Sequence, residues 1–337
     1  MTTISHPQDI LLGAQAAAPV LPVCDHFSGQ PERMRKSLQL QAQMTAELGR
    51  CVFDVTLDCE DGATVGQEVA HANAVAALVR EHAAAHPDAR IAVRVHALDH
   101  PAFVDDVARI VGQVGDKLTH VMLPKAETVD QVDWVARALD RAYGPRLPLH
   151  VLIESPAAVQ QAFAIAAHPR VQSLSFGLMD FVSDHRGAIP QSGMSVKGQF
   201  EHPLVMRAKL EISAACHGWG KVPSHCVVTE FKHLSALEAA ATQACRQLGY
   251  TRMWSIHPDQ IRTIVDAFSP TTAEVDQAAE ILLAAQAAGW GPIRHRHHGQ
   301  DTLHDRASFR YFWHVLERAH RTGPLPAEIE HRFFARA

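Results

Sequence analysis

The sequence predicts an α/β protein, a (β/α)8 TIM barrel with a C-terminal helical extension. Eight short segments rich in Val, Ile, Leu and Phe alternate with stretches of helical periodicity along residues 1–268. Most of these segments are apolar throughout, which is typical of parallel strands covered on both faces. Eight strand–helix units in about 270 residues match the usual size of a closed barrel. A doubly wound open sheet is the alternative, because periodicity does not distinguish a closed sheet from an open one.

The predicted strands follow one another along the chain, with helix-like segments such as 32–48, 65–85 and 126–142 between them. Residues 1–268 are therefore predicted to form the barrel domain. The strand candidates are 20–24, 51–57, 91–95, 120–123, 150–153, 173–176, 226–229 and 253–256.

Residues 269–337 change in character and predict a helical extension of the barrel, too short and too polar for a core of its own. Helical patterns cover 272–288 and 307–319, and the His/Arg cluster 294–299 between them predicts a mobile loop. His295, His297 and His298 lack the spaced helical ligands of a zinc site, so the sequence does not favour metal binding there.

Composition excludes several classes of protein. The chain has 31 Lys and Arg against 36 Asp and Glu, so no basic excess is available for nucleic acid. No apolar run approaches the roughly 18 residues needed to span a bilayer, and no basic segment precedes the N-terminal apolar stretch, so neither a membrane span nor a signal peptide is predicted. Six cysteines without a C-x-x-C pair indicate reduced thiols and a cytoplasmic location.

Charged residues follow most of the predicted strands at the point where each strand ends. Because barrel active sites lie at the carboxyl ends of the strands, and charges are costly to bury there without a partner, this series predicts a functional site. The segments are Asp58-Cys59-Glu60-Asp61-Gly62, Val93-Arg94-Val95-His96, Leu123-Pro124-Lys125-Ala126-Glu127, Ile153-Glu154-Ser155, Gly177-Leu178-Met179-Asp180 and Ile256-His257-Pro258.

Two of these carboxylates have the spacing of a shared metal site. Glu154 and Asp180 are 26 residues apart, about one strand–helix repeat, which places them on neighbouring strands. Two carboxylates, completed by water and substrate oxygens, are the usual protein contribution to a Mg²⁺ site. Arg94 is positioned to present its planar fork to a substrate carboxylate or carbonyl. The alternative is a structural ion pair between Glu154 and Arg94.

Together, these segments resemble the citrate lyase β-subunit/HpcH–HpaI aldolase superfamily, and within it the malyl-CoA-lyase-like branch. The resemblance covers roughly residues 20–285, in the family's order and spacing. It implies a Mg²⁺-dependent carbon–carbon lyase in which Glu154 and Asp180 bind the metal. Arg94 would hold the acid substrate, with Glu60 and Asp61 orienting it from behind.

The resemblance also implies a homo-oligomer, a trimer or hexamer, in which a C-terminal aspartate completes a neighbouring subunit's site as acid/base. Asp305 is the candidate here, and Asp301 is a competing assignment. The extension 269–337 would then supply this residue to a second copy of the chain. Lys125 and His257 are expected to contact substrate or support the site, Lys125 through an ion pair or hydrogen bond and His257 by packing and hydrogen bonding at the barrel rim.

The expected substrate is a small 2-hydroxy or 2-oxo acid, carried as a coenzyme A thioester such as malyl-, citramalyl- or citryl-CoA. The family's usual basic residues after the Glu60-Asp61 motif are replaced by 65–71, and a usual Gly-Lys pair by Thr251-Arg252. These changes keep two alternatives open. One is an aldolase of free 2-oxo acids, and the other is a non-catalytic or carrier-dependent subunit of a larger complex.

Overall fold

The protein is described as a computed structural model that covers residues 6–13, 20–144, 147–297 and 299–335. Eight parallel strands in these ranges form a closed barrel in sequence order, and β1 hydrogen-bonds to β8. The predicted barrel is confirmed, and the open sheet is wrong. The strands are β1 (Cys24–Ser28), β2 (Phe53–Asp58), β3 (Ile91–Arg94), β4 (Leu118–Leu123), β5 (Leu149–Ile153), β6 (Val171–Phe176), β7 (Val222–His225) and β8 (Arg252–Ser255).

Helices connect the strands and continue beyond the barrel. A π-helical turn, Val107–Val111, joins α4 to α5, and short 3-10 turns occupy Gly115–Lys117, Gln191–Met194 and Gly198–Phe200. The helices are α1 (Pro7–Leu11), α2 (Pro31–Leu48), α3 (Glu68–Ala85), α4 (Phe103–Asp106), α5 (Gly112–Val114), α6 (Val129–Tyr143), α7 (Pro156–Ala167), α8 (Leu178–Asp184), α9 (Pro203–Gly218), α10 (Leu234–Gln247), α11 (Pro258–Phe268), α12 (Thr272–Ala287), α13 (Arg306–Thr322) and α14 (Ala327–Phe333). None of the described helices is long and apolar enough to cross a membrane.

The barrel interior is layered along the strands. Side chains two positions apart on a strand share a face, so His150, Leu152 and Glu154 rise in that order from the N-terminal end of β5 towards the mouth. The lowest layer is polar and fully buried, and a cluster of buried apolar side chains covers it. The polar layer contains Asp25, Asp54, His120, His150 and Arg252, and the apolar layer contains Phe27, Met122, Leu152, Val227 and Trp254.

Two predicted strands are misplaced by several residues. The apolar run 20–24 suggested the first strand, but β1 begins only at Cys24 and continues through the buried Asp25 and His26. The prediction 226–229 for the seventh strand is likewise too late, because β7 contains the buried polar Ser224 and His225. In both cases polar residues inside the fold concealed the strand, because apolar content was the signal used.

The chain divides into two compact units. The barrel occupies Pro19–Glu47 and Cys51–Phe268, and the second unit contains Ser269–Ala337, Leu48–Arg50 and the segment with α1. The expected mobile loop at 294–299 is wrong. Residues Ile293–His297 (β9) and Gln300–His304 (β10) form an antiparallel hairpin instead, with Gly299 at φ 80° in its turn and His298 outside the described residues.

The second unit also has a hydrophobic core, contrary to expectation. Leu11 and Leu12 from the N-terminal segment pack with residues of α12, α13 and α14, including the fully buried Leu282, Phe309 and Leu316. α1 was predicted to belong to the barrel domain, 1–268, but its buried face contributes to this separate core.

Candidate active site

The site begins with Arg94, the last residue of β3, which lies beside Asp58, the last residue of β2. The guanidinium forms a two-pronged ion pair with Asp58, with Nε 2.7 Å from Oδ1 and Nη2 2.6 Å from Oδ2. Nη1 lies 2.8 Å from Glu60, and Nη2 lies 2.8 Å from Asp61. Burial opposes the charged guanidinium, but the three carboxylates outweigh it and raise the pKa of Arg94 further above its ordinary value. Arg94 is therefore a fixed cation.

The local sequence holds this cluster in place. Asp58 Oδ1 also accepts the backbone N–H of Glu60 at 3.0 Å, which folds the segment after β2 back towards Arg94. Gly62 is required in that turn, because a Cβ there would lie 2.1 Å from the backbone oxygen of Asp58 and 2.6 Å from Gly29 Cα. The turn thus brings Glu60 and Asp61 to the same guanidinium.

Lys125 connects this cluster to the next strands. Its Nζ lies 2.8 Å from Glu60 Oε1, an ion-pair partner that the sequence had not named. Its backbone N–H donates to Glu154 Oε1 at 2.6 Å, and its φ of 53° is in the left-handed region that non-glycine residues rarely adopt. Such strain persists only where surrounding contacts impose it, and it clusters at functional sites.

Glu154 and Asp180, the two predicted metal ligands, follow β5 and β6. Glu154 is only 4% exposed, whereas Asp180 is exposed in the first turn of α8. Burial, together with the carboxylates of Glu60 and Asp180, raises the pKa of Glu154 to about 8. Gly177 allows this approach, since a Cβ at that position would lie 2.6 Å from Glu154 Oε2. The site thus holds more carboxylate charge than its cations neutralise, and hard oxygen donors of this kind fit Mg²⁺.

Two cavities open at this end of the barrel, and Asp180 lines both. The larger cavity is about 870 Å³ and also contains Arg94 and Asp61. The smaller is about 540 Å³ and contains Lys125 and Glu154. The larger cavity extends along α2 to Arg33, Lys36 and Gln30, with apolar walls from Phe27, Val227, Phe231, Trp254 and Ile256.

The structure brings together six of the predicted site residues and places His257 at the rim. His257 lines the larger cavity and stacks on Phe231 with ring centroids 4.8 Å apart. The residues joined by direct contacts or shared cavities are Glu60, Asp61, Arg94, Lys125, Glu154 and Asp180.

The two C-terminal candidates lie in the second unit, where each has a local partner. Asp305 caps α13, with Oδ1 accepting the backbone N–H groups of Ala307 and Ser308. Asp301 pairs with Arg294 across the β9–β10 hairpin.

Some sequence interpretations fail at the level of contacts. Arg94 does not hold its fork open for substrate, because Asp58 takes both prongs. The alternative ion pair between Arg94 and Glu154 does not form within the described residues, where Arg94 is paired with Asp58, Glu60 and Asp61. In the His/Arg cluster at 294–299, His295 Nε2 lies 3.2 Å from Glu280 Oε2.

Sequence reasoning included Asp58 in the charged series without assigning it a role, and it missed Arg33 and Lys36. Asp58 ends its strand just before the Glu60-Asp61 pair, so its position was available as a signal. Arg33 and Lys36 had none, because only the packing of α2 shows that they border the cavity.

A closed (β/α)8 barrel with a charged cluster at the carboxyl ends of its strands has the architecture of a TIM-barrel enzyme. The family model described as HpcH/HpaI aldolase/citrate lyase matches residues 38–258. The chain belongs to the HpcH/HpaI aldolase/citrate lyase family, which confirms the resemblance seen in the sequence.

Several relatives and solved structures are similar to this chain. A crystal structure of a citrate lyase from Burkholderia xenovorans LB400 is 46% identical, with a TM-score of 0.79, and the match covers 96% of this chain and 98% of that one. The L-malyl-CoA/beta-methylmalyl-CoA lyase of Cereibacter sphaeroides (strain ATCC 17029) is 32% identical over 216 residues, 59% of this chain. The match spans 66% of that lyase's length.

A structure of CitE from Mycobacterium tuberculosis in complex with magnesium, acetoacetate and coenzyme A shares the fold. It is 22% identical, with a TM-score of 0.66, and the match covers 89% of this chain and 98% of that one.

Proposed function

We propose that the protein is a Mg²⁺-dependent carbon–carbon lyase acting on the coenzyme A thioester of a small 2-hydroxy or 2-oxo acid. Malyl-, citramalyl- and citryl-CoA are the candidate substrates. The observation that carries the proposal is the meeting of Arg94, Asp61 and Asp180 on one cavity, beside Glu154 and Lys125. The names of the malyl-CoA lyase relatives support the reaction type.

Glu154 and Asp180 would hold Mg²⁺, because neither carboxylate forms an ion pair with a cationic side chain among the described residues, and both line the smaller cavity. When bound, the ion would supply Lewis-acid polarisation of a carbonyl or hydroxy acid oxygen. Lys125 stays in place through its ion pair with Glu60, and its backbone N–H fixes Glu154 Oε1.

Arg94 would stabilise the negative oxygen that develops when the carbon–carbon bond breaks. Four of its contacts are to carboxylate oxygens, which leaves one Nη1 proton to point towards substrate. A donor fixed in this way does not reorganise during the reaction, which is the basis of electrostatic stabilisation. Asp61, whose side chain is 77% exposed, can accept the substrate hydroxyl proton directly or through one water.

The larger cavity supports a thioester rather than a free acid. Its volume of about 870 Å³ is at the upper end for small-molecule sites, and its walls include apolar side chains for a pantetheine arm. Arg33 and Lys36 supply the positive charge that the phosphates of coenzyme A require. They would take over from the basic residues that the sequence lacks after Asp61.

We also propose that Asp305 completes the site of a second copy in a trimer or hexamer and exchanges the proton of the enolate carbon. A complementation experiment tests this. Mixed oligomers of inactive Arg94→Lys and Asp305→Asn chains should regain activity, since some sites would combine an intact Arg94 with an intact Asp305. Absence of any gain, with mixed oligomers verified by mass, would overturn the sharing of sites.

The experiment for the main proposal is a mass-spectrometric cleavage assay with the three thioesters, with and without Mg²⁺. Asp180→Asn and Glu154→Gln should lose the Mg²⁺-dependent release of acetyl-CoA or its relative. Asp184→Asn is the matched control, because Asp184 is an exposed acid on the same helix that lines only the smaller cavity. Cleavage of free 2-oxo acids alone would indicate an aldolase, and no turnover on either class would indicate a carrier-dependent subunit.

A further inference from the structure

A chain of buried polar side chains connects β8 and β1 to α2 beside the larger cavity. Its central member is His26, in the middle of β1. His26 Nδ1 lies 2.7 Å from Ser255 Oγ, and His26 Nε2 lies 2.9 Å from Ser37 Oγ. Ser255 is the register partner of His26 on β8, and Ser37 lies in α2. All three residues are at most 1% exposed, so one imidazole ring joins two strands and a helix inside the fold.

The direction of each hydrogen bond in this chain is fixed. Ser37 has one hydroxyl proton, which it donates to the backbone oxygen of Arg33 at 2.9 Å, because a carbonyl oxygen can only accept. Ser37 Oγ therefore presents lone pairs to His26, so Nε2 must carry the ring proton. Burial lowers the pKa of His26 to about 4. The ring is thus neutral near neutral pH, and Nδ1 accepts the proton of Ser255.

α2 has a second polar anchor one helical turn further along. Gln41 Nε2 donates to the backbone oxygens of Phe53 at 2.8 Å and Arg90 at 2.9 Å. Apolar contacts on the buried face of α2 are non-directional, whereas hydrogen bonds depend strongly on distance and angle. The bonds of Ser37 and Gln41 therefore fix the rotation and tilt of α2, and the link from Ser37 to His26 is the anchor nearer the mouth of the barrel.

The opposite face of the same helical turn borders the larger cavity. Arg33 and Lys36 are exposed there and line the cavity together with Gln30. Neither cation forms an ion pair within the part of the chain that the structure describes. The polar chain ends on the backbone of Arg33, whose own side chain borders the cavity. The position of these two cations therefore depends on the contacts of the buried ring.

We propose that His26 is a positioning residue for recognition of the phosphates of coenzyme A. Through Ser37 it holds the turn of α2 that presents Arg33 and Lys36 to the cavity. His26 itself borders the cavity, but both of its ring nitrogens are engaged by serine hydroxyls, so it acts through the helix. This role rests on the proposed thioester substrate, because a free acid has no phosphates for the two cations.

The test is the steady-state kinetics of the full-length protein on the thioester that the wild type cleaves. Each variant is assayed with the coenzyme A form and with the pantetheine form, which lacks the phosphates. The amide of His26→Gln reaches the place of Nε2 and keeps the link to Ser37. The amide of His26→Asn lies at the place of Nδ1 and keeps only the link to Ser255.

His26→Asn should raise KM for the coenzyme A thioester about 10-fold and leave kcat within about twofold, because charge-assisted contacts to phosphate are weakened. His26→Gln should stay within about threefold of the wild-type KM, since it restores a donor to Ser37. Both variants should match the wild type on the pantetheine thioester. A purely structural role of His26 would instead lower the activity on both substrates alike.

Ser37→Ala should reproduce the effect of His26→Asn, and the double variant should lose no more than either single one, since both break the same link. Ser213→Ala is the matched control. Ser213 is also a buried helical serine, and its hydroxyl donates to the backbone oxygen of Leu248 at 2.7 Å, but it lines neither cavity. This control should keep the wild-type KM.

Equal KM values for His26→Asn and His26→Gln, or an equal loss on the pantetheine thioester, would overturn the positioning role. If the His26 variants do not fold, Ser37→Ala gives the same comparison. Titration calorimetry with coenzyme A separates this inference from the proposed reaction. Coenzyme A binding that weakens in His26→Asn, without turnover of any thioester, would support the role of His26 and refute the lyase. No binding of coenzyme A by the wild type would overturn both.

Discussion

The two ends of the barrel interior each bury an arginine among carboxylates, with opposite consequences. At the mouth, Arg94 holds three carboxylates, and its neighbours Asp61 and Asp180 line an open cavity. At the other end, Arg252 holds Asp25 and Asp54, and all three side chains are at most 1% exposed. The same ion-pair chemistry is accessible to a ligand in one case and sealed by an apolar layer in the other.

The difference shows that access rather than charge decides which cluster is suited to catalysis. Removing a fully buried arginine leaves its two carboxylates without a cation, which lowers the stability of the fold. An arginine that borders a cavity can still donate an N–H group to a ligand, while its carboxylate partners fix the orientation of the guanidinium. Substitutions at the two ends should therefore separate activity from stability.

Arg94→Lys should produce the largest effect, a loss of kcat/KM of about 10³-fold or more, because lysine cannot reproduce the fork that Asp58 and Glu60 hold. The thermal midpoint should change little, since a cation remains. Arg109→Lys, in an exposed pair with Asp105, is the control and should retain activity. Equal losses in both variants would mean that the effect at Arg94 does not come from its place in the cluster at the mouth.

Arg252→Met should destabilise the fold by about 3–5 kcal/mol, because Asp25 and Asp54 lose their buried cation. Urea unfolding measures this, and the activity per folded molecule should be preserved. Arg262→Met breaks an exposed pair with Glu47 and should cost no more than about 1 kcal/mol. A small effect at Arg252 would mean that the polar layer does not depend on this ion pair.

Lys209 offers a third case, a buried cation with no carboxylate partner in the described residues. Its Nζ donates to Gln199 at 2.8 Å and lies 3.8 Å from the Phe200 ring centre, and burial lowers the pKa of Lys209 to about 8. The unfolded chain binds this proton more tightly, so stability should rise with pH between about 8 and 10.5. Relative to Lys209→Met, the wild type should gain about 3 kcal/mol over that window.

Urea unfolding of both proteins at a series of pH values checks this prediction, because titrations common to both cancel in the difference. A constant difference between pH 7 and 10 would contradict it. A difference that shifts in the opposite direction would mean that Lys209 has a stabilising anionic partner, as Arg94 and Arg252 do.

Asp58→Asn should have the smallest effect, a loss of kcat/KM of about 10- to 100-fold with an unchanged fold. Asparagine keeps the shape of the side chain but offers an N–H group to one prong of Arg94. The loss should fall on kcat more than on KM, since Asp58 lines the larger cavity but both of its carboxylate oxygens are engaged by Arg94. Unchanged kinetics would show that Glu60 and Asp61 suffice to orient the guanidinium.

The sequence predicted the closed barrel and the cluster at its mouth because both leave local signals. Apolar strands recur at the spacing of strand–helix units, and charged residues such as Lys125 and Glu154 stand where strands end. The polar layer left no comparable signal. Asp25 and Ser224 lie inside strands, where apolar content was the criterion, so β1 and β7 were misplaced.

Contacts between residues that are distant in the chain also could not be predicted from local sequence patterns. Asp58 and Arg94 are neighbours only through the register of β2 and β3, and nothing in either segment indicates a two-pronged pair. The core of the second unit combines Leu11 with Phe309, and periodicity within one segment does not reveal such long-range packing.

The second unit also sets an order of events during synthesis. His6 Nε2 lies 2.7 Å from the backbone oxygen of Phe333, and α1 packs on α13. Leu11 and Leu12 therefore stay unburied during synthesis until α13 and α14 have been translated. At 5–20 residues per second, roughly, this delay is tens of seconds at most, an interval in which a chaperone can bind the exposed apolar segment.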